Sequence, residues 1–192
     1  MSDVAYASAS TRRGPTILRY ATVVFAAAVV ATVAALSVSA LEPKEAEAAS
    51  AVRVCGGEKI KLNAKEERTL RLHNKARKSR GLRSLCVHPK LTKAARAHSA
   101  DMIRKDYFRH GNTRLRLKRY GYKWRTYSEN ISWGSGSRDS PGTVFKGWMH
   151  SRAHRSNLLA KKVREVGIGT ATGTYKGINR VTMYTVDFGT RR

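Results

Sequence analysis

The chain reads as an α+β domain, and three observations predict it. Apolar residues at spacings of three and four recur between residues 64 and 102, which is the helical period. Alternation of period two marks residues 127–133. Two further β-like runs, 165–171 and 180–188, surround a turn-rich link containing Gly173 and Gly177. Helices are thus separated along the chain from an antiparallel hairpin, a layout with three layers.

Before the first of these elements, Arg12, Arg13 and Arg19 precede an uncharged Ala/Val run from Tyr20 to Leu41. That pattern describes a secretory signal peptide, and Val38-Ser39-Ala40 and Ala46-Glu47-Ala48 offer cleavage sites. The run is also long enough to span a bilayer, so an uncleaved anchor is the alternative. Either reading exports the remainder of the chain. Residues 1–41 are therefore read as signal or anchor, 42–57 as an acidic, Ala-rich linker, and 58–192 as the domain.

Residues 1–48 hold four basic and four acidic side chains, so the rest carries the whole net charge of +25. Such a field concentrates polyanions. Inside a cell that would mean nucleic acid; export makes anionic envelope polymers or lipids the expected partners instead. The two cysteines, Cys55 and Cys86, both lie in the exported part, which predicts a disulfide.

From Ala64 to Arg80 the pattern is helical, with Thr69, Leu72, His73 and Ala76 on one stripe and Gly81 as the terminating residue. His88-Pro89 opens a second helix, in which Leu91, Ala94, Ala95, His98 and Met102 form the buried stripe. His98 is accordingly read as a core residue. Tyr107 to Asn112 is a loop, and Thr113 to Tyr120 a short, very basic helix stopped by Gly121. In the next strand, Tyr127, Glu129, Ile131 and Trp133 share one face, and Ser128, Asn130 and Ser132 the other. A carboxylate among such neighbours needs a wet cleft or a partner, whether arginine, histidine or a metal ion. Asp139-Ser140-Pro141 starts a helix running to about His150, with Val144, Phe145 and Trp148 as its apolar face. In the last run both alternating sets are partly apolar, which suits a strand covered on both sides.

His150 and His154 have the spacing of a helical zinc-binding pair, but Ser151 stands where that motif needs glutamate. Ser135 is not in a nucleophile elbow. Ser151 beside His154 is read as a helix cap and not as a nucleophile–base pair.

Several segments occur in a recognisable order. They are Leu72-His73-Asn74 with Arg77, Gly81-Leu82 with Leu85, Ala94 to His98 with Asp101-Met102, and Phe108-x-His110. Next come Gly121-Tyr122, Glu129-Asn130-Ile131, and Trp148-Met149-x-Ser151-x-x-His154-Arg155-x-Asn157-x-Leu159. Val166-Gly167-Ile168-Gly169 and Asp187-Phe188-Gly189 complete the set. Together they resemble the bacterial branch of the CAP superfamily of cysteine-rich secretory, antigen-five and pathogenesis-related proteins, also called SCP-like domains. The likeness covers about residues 62–190.

The resemblance implies a three-layer α-β-α sandwich with a central antiparallel sheet, an extracellular location, and a central cleft of histidines and glutamates. Carried over by motif, the cleft's metal-ligand candidates are His110, Glu129 and His154, with Asn130, Trp148 and Ser151 lining it. The same three are the catalytic candidates. Ser151 replaces the second glutamate of animal and plant relatives, Arg152-Ala153 replaces a common Pro-Gly, and the loop after His110 is several residues short. Two imidazoles and one carboxylate match an open zinc site.

The functional expectation is an exported, monomeric, non-catalytic binding module. Its cleft would take a divalent metal or a small or lipid ligand, and its basic surface would meet anionic envelope material. The alternative is a metal-dependent hydrolase of envelope or extracellular substrates.

Overall fold

A computed structural model describes residues 52–55 and 59–192. The signal-or-anchor reading of residues 1–41 and most of the 42–57 linker lie outside the described residues. Among the described residues no helix is long and apolar enough to cross a membrane.

Helix α1 spans Ala64–Lys78 and opens on a reciprocal cap, in which Asn63 accepts from the Glu66 backbone and Glu66 from that of Asn63. It ends two residues before the expected Arg80, with Gly81 at φ 65°. Its buried face differs from the expected stripe: Thr69, His73 and Ala76 are buried, but Leu72 is only half-buried, and Glu66, Leu70 and Arg77 join the interior. The two charged residues are satisfied there. Arg96 Nε donates to Glu66 Oε1 at 2.8 Å. The Arg77 guanidinium donates to the carbonyls of Arg83, Leu158, Ala160 and Val163. A buried cation with four acceptors escapes the penalty of an unpaired one.

Strand β1, Cys86–Val87, leads into helix α2, Pro89–Arg104, where the His88 ring caps the Lys90 N–H at 3.2 Å. Leu91, Ala94, Ala95, His98 and Met102 are buried, as their spacing requires. The basic helix α3 is Thr113–Arg119. Strand β2, Trp124–Gly134, is followed by a single 3-10 turn and by helix α4, Pro141–His150, capped by Ser140. A separate helix α5, Arg152–Leu158, begins at once. Strands β3, Glu165–Tyr175, and β4, Ile178–Arg191, form the final hairpin.

The sheet order is β1-β3-β4-β2. Pairings β3–β4 and β2–β4 are antiparallel, whereas β1 joins β3 in parallel through Cys86↔Glu165 and Val87↔Val166. The three long strands form the expected central antiparallel sheet, and the two-residue β1 adds a parallel pairing at its edge. Residues 181–189 of β4 are all buried, because helices cover both faces. On one face Tyr184, Val186 and Phe188 pack with Leu70, Trp148 and Leu158 of α1, α4 and α5. On the other, Val181, Met183 and Ile131 pack with Met102 of α2.

Helix α2 lies almost backbone to backbone on β3. A Cβ on Gly167 would meet the Leu91 carbonyl carbon at 2.0 Å, and one on Gly169 the Arg96 nitrogen at 2.1 Å. Only glycine permits that approach. The Cys55–Cys86 disulfide, 31 residues apart in sequence, fastens residues 52–55 to β1, where Val54 bridges Val87. At the other edge of the sheet, the outward carbonyls of Glu129 and Ile131 on β2 accept from Asn157 Nδ2 at 3.2 Å and Trp148 Nε1 at 3.1 Å. Helices α4 and α5 thereby cover an edge that would otherwise offer unpaired backbone.

Candidate functional site

Period-two alternation turns the Glu129 side chain toward α2 and α3, together with Ile131, while Asn130 faces the opposite side. Glu129 is almost fully buried, its side chain only 3% exposed. Its compensation comes from the loop after α2 and from α3. His110 Nδ1 lies 2.7 Å from Oε1, and Thr113 Oγ1 donates to the same oxygen at 3.2 Å. The Arg116 guanidinium donates to Oε2 and reaches back to the His110 carbonyl at 3.2 Å. Asn112 caps α3 by accepting from Leu115 N–H, which fixes the start of the helix that carries Arg116.

Behind Glu129 stands Asp187, its register partner on β4, fully buried and 3.6 Å from the same guanidinium. Burial raises the Glu129 carboxyl, but the His110 hydrogen bond and the Arg116 charge outweigh it and hold the group below its ordinary value. For Asp187, burial and then the negative charge of Glu129 push the carboxyl well above the carboxylate range. The environment thus drives the two carboxyl groups in opposite directions, Glu129 toward its charged form and Asp187 toward its neutral one. Burial, reinforced by Arg116, lowers the adjacent His98 to about 4, so that ring is neutral, with Nε2 3.1 Å from the Arg109 carbonyl. His110 is the open member, its side chain half exposed.

The sequence-derived candidates separate. His110 and Glu129 meet. His154 sits on α5 at the outer edge of β2, where Asn130 Nδ2 donates to its carbonyl at 3.0 Å. Asn130 also bonds Asn157, and Trp148 packs beside His73 in the α1–α4 core. These two, expected to line the cleft, lie across the strand from the Glu129 carboxylate, because neighbouring strand residues face opposite ways. Ser151 adopts extended backbone (φ −85°, ψ 121°) between α4 and α5, at the cap position but without a side-chain cap bond. That break removes His150 and His154 from any shared helical face.

A zinc ion needs several donors at about 2 Å. Here one oxygen of Glu129 is engaged by His110 and the other by Arg116. Among the described residues, only Cys55, Cys86 and Glu165 have donor atoms all within 4.8 Å of one another, and those sulfurs are joined in the disulfide. Arg116 also supplies the positive charge that a metal would bring and repels a second cation. The donor set does not fit an ion shared by His110, Glu129 and His154.

Arg116 and Asp187 were not legible as site residues. For Asp187 a signal existed, a lone acid inside a strand apolar on both faces. Arg116 was hidden among the many cations of a basic helix.

The model of the CAP, or cysteine-rich secretory protein, family matches residues 70–188, and the chain belongs to that family. It is similar to the uncharacterized protein YkwD of Bacillus subtilis (strain 168), with 35% identity over 113 residues, 56% of this chain and 43% of YkwD. The chain spans less than half the length of the curated relatives it matches. Among solved structures it is similar to an outer surface protein from Borrelia burgdorferi (TM-score 0.60, 20% identity, covering 71% of this chain and 100% of that one). It is also similar to an extracellular protein containing a SCP domain from Bacillus anthracis (TM-score 0.57, 24% identity, 70% and 45% covered). At these identities the likeness is one of fold.

Proposed function

We propose that this protein is an exported, non-catalytic CAP-family binding module. Its cleft takes a small polar or lipid ligand at the half-exposed His110, and its basic surface meets anionic envelope material. One observation carries the non-catalytic reading: both oxygens of Glu129 are already engaged, by His110, Thr113 and Arg116. A carboxylate so committed is neither a ready general base nor an open metal ligand. Export is supported by the charged and apolar pattern of residues 12–41. The solved relatives described as outer-surface and extracellular proteins agree with it.

Metal analysis of the full chain after dialysis against zinc tests this reading. Less than one equivalent should remain. One equivalent retained by the wild type and lost in Glu129→Gln would overturn it.

A second reading, hydrolysis, is favoured by the 2.7 Å contact between His110 and Glu129, since a carboxylate on an imidazole is how a general base is oriented. Turnover of an envelope or ester substrate, abolished in His110→Ala, would select it.

A further inference from the structure

Strand β2 carries a feature that the cleft does not use. Its pairing with β4 runs Trp124↔Arg191 and then Thr126↔Thr190, so Arg125 is an extra residue, a β-bulge. The bulge reverses the alternation. The rings of Trp124 and Tyr127, three positions apart, touch at 5.4 Å and pack on the same side, against Leu91 and Leu117. Arg125 and Thr126 are thereby both turned to the other face. There they line a depression of about 550 Å³ with Lys162, Arg164 and Thr190.

None of the five lining residues is acidic. Glu165, the one acid of β3, is engaged by Arg191 Nε at 2.7 Å and by Tyr122 Oη at 2.7 Å. The chain end is fastened here too, with Arg192 donating through Nε to the Trp124 carbonyl at 3.1 Å.

We propose that this depression is a binding site for the phosphate groups of a linear anionic polymer, separate from the cleft. This places the anionic-surface part of the function proposed above at one location. Three cations and the Thr126 hydroxyl converge from β2 and the loop before β3, while the Thr190 hydroxyl is spent on the Lys162 carbonyl. Four donor groups suit a tetrahedral oxyanion with several acceptor oxygens better than a two-oxygen carboxylate. A polymer fits better than a bilayer. The exposed large apolar side chains among the described residues are Val54, Leu115 and Ile178, and none belongs to the segments forming the depression. An insertion into lipid would lack an apolar anchor there. Arg125 is four residues from Glu129, about 13 Å along the strand, and on the opposite face.

Calorimetric titration of the full chain with inorganic tripolyphosphate, at low and physiological salt, tests the site. The double variant Arg125→Ala/Lys162→Ala should weaken binding about tenfold or more, the loss of one to two charge-assisted contacts. Thr126→Val should weaken it by a smaller factor. Lys75→Ala/Lys78→Ala removes the same charge from exposed positions on α1 and should change affinity by less than about threefold, the effect of diffuse charge alone. Equal losses in the two double variants would overturn the site while leaving a basic surface in place. No binding by the wild type at physiological salt would overturn both the site and the anionic-surface reading. Phosphatidylglycerol vesicles bound more tightly than tripolyphosphate, and equally by the Arg125/Lys162 variant, would overturn the polymer assignment.

Discussion

Glu129 and Asp187 face each other across β2 and β4, and one guanidinium, that of Arg116, serves both carboxyl groups. Removing that cation leaves a buried carboxylate without its counter-charge. Arg116→Ala should destabilise the fold by roughly 3–5 kcal/mol, and Arg116→Lys should recover only part of it, because lysine lacks the forked donors. Because burial favours the neutral form of Asp187, the neutral isostere in Asp187→Asn should cost under about 1 kcal/mol. Urea unfolding of the three variants measures this. A loss in Asp187→Asn as large as in Arg116→Ala would mean that Asp187 is charged.

His73 connects acidity to stability. It is fully buried against Phe145, Trp148 and Phe188, with Nδ1 2.8 Å from the Thr69 carbonyl. Burial lowers its pKa from 6.5 to about 4. Between those values the unfolded chain binds the proton and the folded one does not. The contribution is thus complete above pH 6.5 and is lost as pH falls toward 4, about 3 kcal/mol in all. In His73→Phe the decline in stability between pH 7 and 4.5 should be visibly shallower. Identical pH profiles for wild type and variant would refute the assignment.

The approach of α2 to β3 leaves no space for a methyl group. In Gly169→Ala the new Cβ would meet the Arg96 backbone, which cannot move without shifting the whole helix. The loss should exceed about 4 kcal/mol, or the chain should fail to fold. Gly147→Ala, on exposed α4 with nothing within 4 Å, should be neutral or stabilising by up to about 1 kcal/mol. Thermal melts compare the two.

Breaking the Cys55–Cys86 bridge should lower stability by about 3–4 kcal/mol, because the cross-link closes a loop of some thirty residues in the unfolded chain. Thiol titration of the denatured, unreduced protein should find no free thiol. Two thiols per chain would refute the pairing.

Local signals explain how much of this was readable. The α2 stripe, the Ser140 and Pro141 helix start and the two-sided burial of β4 follow from periodicity and capping, which act within a few residues. So does the face of Glu129. The burial of Glu66 has no local signal, because it depends on Arg96, which lies thirty residues away; Leu72, expected on the buried stripe, is only half-buried. The end of α4 at His150 and the cap position of Ser151 were local, whereas the second helix α5 that follows at once was not expected.

The sequence by itself determined the layers, the disulfide partners, the family motifs and the solitary carboxylate that had to be compensated. Only the tertiary structure decided what compensates it. Arg116 and Asp187 lie 13 and 58 residues from Glu129, and their meeting depends on strand register and on how α3 is seated, neither of which periodicity encodes. The same holds for the Arg125 bulge, since an extra residue in a strand is visible only against its partner's count. A local pattern reports which way a side chain faces. What it faces is decided by elements elsewhere in the chain.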